Sequence, residues 1–202
     1  MIFSLDRLFG RQRPAEPAVL QAFLARQAAF VTQKTVIDYC RVKSGRAERE
    51  LFADADFQAA LRHCRWQTFA AAVQDLAAVT EAWLRPHAGG RDAGLAEGVA
   101  RLGAAILDAA PAPAEQRASL DAARDALPRH LAQLQQAPPL PANRLPLLAE
   151  APLLATLPIH PDQRIGETPS IRGALRFHIV STQQEMERGF DAPALARALS
   201  AG

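Results

Sequence analysis

Lysine is almost missing from this chain: Lys34 and Lys43 stand against 21 arginines in 202 residues. The rest of the composition, heavy in Ala, Leu, Pro and Arg, has the look of a GC-rich, bacterial coding bias, so a lysine is an exception that asks for a reason. Cysteine is equally scarce. Cys40 and Cys64 form no Cys-x-x-Cys pair, which excludes a local zinc or redox motif and leaves two reduced, buried apolar residues of a cytoplasmic protein as the expectation. No apolar run approaches the roughly 20 residues that span a bilayer. At the amino terminus Asp6 and Arg7 occupy the place where an export signal needs its apolar centre, so export is not expected either. Charge of one sign is also lacking. A net charge of +2 with acids and bases interspersed gives no broad field for a polyphosphate backbone, and nucleic acid is not an expected partner.

The motifs of common chemistries are missing too. There is no Glu-x-x-His for a carboxylate-bridged metal pair, no Gly-x-Ser-x-Gly elbow and no phosphate-cradling glycine loop. Of the five histidines, His63, His87, His130, His160 and His178, none lies three or four residues from another, so no metal site is preformed on one helix. His63 adjoins Cys64 but points to a different side of a helix, and no orienting acid accompanies the pair. The expectation is a binding protein with no catalytic residues, no metal and no cofactor.

What is present is helical pattern. Pro17 suits a first turn, and the sequence runs without a breaker from Ala18 to Ser44, with Gly45 placed to end the helix. After a short helix or turn over residues 46–53, Asp54 or Asp56 can cap a second long helix from Phe57 to Leu84, stopped at Arg85-Pro86. A third, about Asp92–Ala110, is weakened by Gly94, Gly98 and Gly103. In a fourth, about Ala114–Gln136, Pro128 is expected to kink or divide the helix. Eight of the fifteen prolines then fall within residues 138–169, where leucine is abundant and Ser and Gly are few. This composition predicts a strap of short turns and extended pieces packed across the other helices, not a solvated linker. Thr168 or Ser170 can cap a final long helix to Gly189, and Pro193–Ser200 makes a short terminal one. No strand-like alternation and no repeat is evident. The predicted fold is all-α: one domain over residues 1–202, a bundle of four to six helices whose first two are long and antiparallel, with the Pro/Leu-rich segment strapped across it.

The first helix carries an oddity. Leu20, Phe23, Leu24, Phe30, Val31, Ile37 and Val42 share one broad face, and Gln27, Lys34, Asp38 and Arg41 fall on that face as well. Ala22, Ala25 and Ala29 on the other side are small enough for a neighbouring helix to approach, so the first helix is expected to be central. In the second helix Arg65 falls mid-way across the apolar arc, with Arg62 nearby and Trp66 at one edge, whereas His63, Gln67, Gln74, Glu81 and Arg85 form the expected solvated side.

Antiparallel packing would bring Lys34, Arg41, Arg62 and Arg65 together against the single acid Asp38. In a seam shielded from water such a surplus of cations needs a further acid or a bound anion. The candidate site is therefore a cleft in which these arginines grip a carboxylate or phosphate while Phe23, Phe30 and Trp66 touch the apolar remainder of a ligand. Ordinary ion pairing along the helix, completed by Glu150, Asp162, Glu167 or Glu185, is the structural alternative. The leading expectation is a cytoplasmic adaptor acting through a protein partner or a second copy. A carrier or sensor of a small anionic, partly apolar ligand is its competitor. Ile2, Phe3, Leu5, Leu8 and Phe9 with Arg11 and Arg13 add a third, weak contact with a membrane surface.

Overall fold

A computed structural model describes residues 13–201. The proposed membrane-contact segment, Ile2 to Arg13, lies outside the described residues except for its last member. Among the described residues no helix is long and apolar enough to cross a membrane.

The protein is all-helical. Helix α1 (Pro17–Thr32) continues through a π-helical turn (Gln33–Ile37) into α2 (Asp38–Ser44), as one rod. It stops at Gly45, whose φ of 51° is a left-handed conformation that costs a glycine little. A 3₁₀ turn and the short α3 (Glu48–Ala53) lead to α4 (Ala55–Leu84), where the Asp54 carboxylate accepts the Phe57 N–H at 2.7 Å as a side-chain cap. Then come α5 (Asp92–Ala109), α6 (Ala114–Leu134), the short α7 (Glu150–Thr156), α8 (Thr168–Gly189) and α9 (Ala192–Ser200). Among the described residues five long rods thus make the bundle, and α3, α7 and α9 are short additions to it.

Several expectations change once packing is seen. The central helix is α4, not the first one. From Ala70 to Glu81 every residue of α4 is buried, because α1, α5, α6, α7, α8 and α9 all pack around it. α1 by contrast leaves Val19, Ala22, Arg26, Ala29 and Phe30 exposed. Gln74 and Glu81, expected on a solvated side, are therefore inside, and each finds a partner from a distant segment. The Gln74 amide donates to the Ala123 carbonyl at 3.0 Å. The Glu81 carboxylate takes Arg85 at 2.7 and 2.8 Å and the Gln135 amide at 2.8 Å.

Pro128 does not divide α6, which is continuous to Leu134. Neither Thr168 nor Ser170 caps α8 through its side chain; Glu167 stands at that place. The glycines of α5 are contact points: Gly94 and Gly98 lie directly against the backbone of α9, and Gly103 against Leu127 of α6.

The proline-rich strap does pack across the bundle. Beside its buried Leu145, Leu153, Leu157 and Ile159, three side chains of the rods satisfy parts of its backbone. Asp75 of α4 accepts the Leu148 and Ala149 N–H groups at 2.7 and 3.0 Å. Arg176 of α8 donates to the Ala142 carbonyl at 2.7 Å and to that of Leu145, and Gln183 accepts the Ala142 N–H at 2.7 Å. The Pro14 carbonyl accepts the Asp191 N–H at 3.0 Å, which ties the approach to α1 to the junction of α8 and α9.

Candidate functional site

The polar residues of the first rod are distributed over three places, not gathered in one. On the α8 side the Gln27 amide donates to Glu185 at 2.7 Å and accepts the Thr182 hydroxyl at 3.3 Å. Phe23 is buried and meets Phe190 edge to face, with ring centres 5.3 Å apart. Both residues hold helices together. Lys34 pairs with Asp38 at 2.8 Å one turn away, and that hydrogen bond, opposed by partial burial, holds the Asp38 carboxyl below its ordinary range. Arg41 pairs with Glu48 at 3.5 Å and lies over the Phe52 ring.

Lys34, Arg41, Arg62 and Arg65 are all exposed. The premise of a water-poor seam crowded with cations therefore fails. Lys34 and Arg41 have acids of their own, and surface charges are screened by solvent. The second lysine has a structural task as well. Lys43 contacts one oxygen of Glu167, and the Tyr39 hydroxyl donates to the other at 2.6 Å, fastening the start of α8 to the first rod. Lys43, then Tyr39, hold the Glu167 carboxyl low. Burial, then the Glu167 carboxylate, push the Tyr39 hydroxyl above its ordinary value.

Cys40 and Cys64 are fully buried, and burial pushes the Cys40 thiol up to about 12 and raises that of Cys64. Only the thiolate is nucleophilic. In the folded protein neither cysteine is expected to take up iodoacetamide at pH 8, whereas both do so in denaturant. Mass spectrometry of the labelled chain checks this, and rapid modification of the native protein would contradict it.

Two of the nine candidate residues, Arg65 and Trp66, come together somewhere unexpected. Between α1, α4 and the end of α5 lies a half-open groove of about 520 Å³. Its floor on α1 is the row Ala18, Ala22, Ala25 and Ala29, the face read from the sequence as a seat for another helix. No helix fills it. The opposite wall is Trp66 and Phe69, edge to face with centres 5.6 Å apart, and Ile106 of α5 with Pro111 just beyond its end closes the third side.

Polar residues are few: Gln21 near one end of the α1 row, Gln33 at the other, and Arg65, the groove's single ionisable residue among the described residues. Thr32 also lines it, but its hydroxyl is already given to the Ala28 carbonyl. Gln33 opens the π-helical turn. The groove also explains why Arg65 falls mid-way across an apolar arc: part of that arc faces the groove, and a guanidinium there reaches water while its stem covers apolar surface.

A second exposed feature is aromatic. Phe177 is 65% and Phe30 46% exposed, and His178 stands between them, edge to face with both at 5.3 and 5.5 Å. Burial, then the Lys34 charge, lower the His178 pKa, so its ring is neutral at pH 7. Among the described residues no group of three or more His, Cys, Asp or Glu is placed to hold a metal ion. No protein family matches the chain, and neither curated proteins nor solved structures provide a match.

Proposed function

We propose that the protein is a non-catalytic carrier or sensor of a small, anionic, partly apolar molecule bound in the groove between α1, α4 and α5. The observation that carries this reading is the charge of that groove: an apolar bed in which Arg65 is the only ionisable lining residue among the described residues. Its volume of about 520 Å³ lies inside the range of roughly 300–1,000 Å³ usual for small-molecule sites. A protein segment fits it poorly. One turn of a helix about 10–12 Å across already occupies a similar volume, while a stable protein interface covers roughly 800 Å² per partner.

The test is native mass spectrometry of protein purified without denaturation, followed by thermal shift against carboxylates and phosphates with apolar bodies. A ligand present at 100 times its Kd stabilises by about 2.7 kcal/mol, which for a chain of this size raises Tm by roughly 5–10 °C. Arg65→Ala is expected to weaken an anionic ligand about 10- to 100-fold, the loss of one charge-assisted hydrogen bond. The same change leaves the free protein's Tm within about 1 °C, since an exposed side chain contributes little. Identical responses of both proteins across the panel would end this reading.

The aromatic patch of Phe30, His178 and Phe177 supports a second one, an adaptor that docks a protein partner or another copy of itself. Exposed aromatic clusters are the usual anchors of such contacts. Light scattering at several concentrations, repeated with Phe177→Ser, addresses self-association. A strict monomer that also retrieves the same proteins as Phe177→Ser from the native host would remove it.

A further inference from the structure

The dimensions of the groove narrow the ligand class, an inference that rests on the carrier reading above. The α1 row from Ala18 to Gln33 extends about 22 Å at 1.5 Å per residue. Spread over that length, a volume of about 520 Å³ corresponds to a mean cross-section of roughly 25 Å² open to the centres of water molecules, and a water radius added on each side gives a clear width of about 8 Å. A helix, about 10–12 Å across, is wider than this and would sit only partly within the groove. An extended peptide is thin enough, but every residue brings an N–H and a C=O that need partners, and among the described residues the groove offers only the side chains of Gln21, Gln33 and Arg65 for that purpose, with the Gln33 amide already donating to Asp38 at 3.3 Å.

A hydrocarbon chain has neither difficulty. Carbon atoms pack at about 3.5–4.0 Å, so a chain one carbon thick fits the width, and the alanine floor lets it lie close to the α1 backbone. The geometry points to a single-chain amphiphile with one anionic head, a long-chain acyl carboxylate, whose chain lies along the Ala row against Trp66 while its head meets the Arg65 guanidinium. An extended chain gains about 1.2 Å per bond, on the scale of a polypeptide's three bonds per 3.3–3.6 Å, so roughly 16 to 19 carbons fill this length.

The experiment uses the full chain and the fluorescence of Trp66, quenched by a chain-brominated hexadecanoate below its micellar concentration. Trp83, the other tryptophan, lies 17 residues along the same helix, roughly 25 Å away. Trp66→Phe should therefore abolish most of the quenching. In competition, hexadecanoate is expected to bind at least tenfold more tightly than octanoate and at least tenfold more tightly than hexadecanol.

Arg65→Ala removes the preference for acid over alcohol and keeps the preference for the longer chain. Ala29→Trp places a large side chain in the groove from an exposed position and weakens hexadecanoate at least tenfold, with circular dichroism and Tm unchanged as the check on folding. Equal affinity for acid and alcohol, or for octanoate and hexadecanoate, overturns the inference. If aromatic carboxylates bind with the same dependence on Arg65 and Ala29 while hexadecanoate does not, the acyl chain is wrong and the carrier reading survives. If no anionic compound binds, both fall. If Ala29→Trp instead dissolves a dimer while hexadecanoate is without effect, the groove is an interface between copies and the inference also fails.

Discussion

Asp75→Ala is expected to destabilise the protein by about 3–5 kcal/mol at pH 5 and by distinctly less at pH 8. Asp75 is fully buried in the middle of α4, and its two oxygens accept the Leu148 and Ala149 N–H groups at the start of α7. Removing the carboxyl leaves two donors without partners, the buried Ala149 N–H at about 1–3 kcal/mol and that of the more exposed Leu148 at less, and opens a small cavity. Acting against this is the cost of keeping a charge in the core. Burial pushes the Asp75 carboxyl from 3.8 up to about 7, only partly countered by the two N–H groups and by Arg176. On the scale of 1.4 kcal/mol per tenfold, that displacement corresponds to about 4 kcal/mol of stability that depends on pH.

The sign follows from proton counting. With the folded pKa above the unfolded one, the folded state holds the proton more tightly. The stabilising contribution is complete below about pH 4 and is lost as pH rises toward about 7, the value in the folded state. Wild type should therefore lose stability between pH 4 and 7 through this group, and the alanine variant should not. His130 and His178, whose pKa values are lowered by burial, work in the opposite sense, with stability rising as pH rises. They are common to both proteins, so the difference between the two denaturation curves isolates Asp75. Amide exchange localises the effect: Leu148 and Ala149 should exchange faster in the variant. A difference that is constant from pH 5 to pH 8 would mean that Asp75 is ionised throughout.

Asp75 also marks the limit of what the sequence disclosed. Helix ends were legible because their causes are local. Pro17, Gly45 and Asp54 act within a turn of where they stand, and the α9 boundary follows from Pro193 with Asp191, whose carboxylate accepts the Ala194 N–H at 2.9 Å. The strap was legible because many leucines among prolines must be buried without forming a long helix. The interior of α4 was not legible. Gln67, Gln74 and Glu81 recur every seven residues, which reads as a stripe facing water, yet the partners of Gln74 and Glu81 arrive from α6 and its end, at separations of about 50 residues.

The site was half legible for a related reason. Arg65 and Trp66 do line the groove, but a helical wheel cannot distinguish an apolar face against a neighbour from one against an open groove. The alanine row on α1 was therefore read as a packing surface, and the four cations were placed in a shielded cluster that the exposed positions of Lys34, Arg41, Arg62 and Arg65 do not form.

Gly98→Ala is expected to be the other strongly destabilising change, by roughly 3 kcal/mol or more, although helix propensity alone favours alanine by about 1 kcal/mol. A Cβ on Gly98 would stand 2.2 Å from the Leu199 carbonyl oxygen and 2.9 Å from its carbon. These atoms belong to the backbone of α9, which cannot rotate aside as a side chain does, so the helix must lift as a unit. Overpacking costs about 1–3 kcal/mol where the surroundings adjust. Where α9 detaches, the burial of Leu195 and Leu199 is lost as well, at about 1.5–3 kcal/mol for each leucine.

For a chain of this length each kcal/mol lowers Tm by roughly 2–4 °C, so a decrease of about 6–12 °C is the expected reading. Gly173→Ala supplies the contrast. Gly173 lies inside α8 with nothing within 4 Å of a built Cβ, and the same substitution there should stabilise by about 0.5–1 kcal/mol. Opposite signs at these two helical glycines would separate close approach from intrinsic propensity. If Gly98→Ala raised Tm as Gly173→Ala does, the contact between α5 and α9 would have to be looser than the 2.2 Å approach implies.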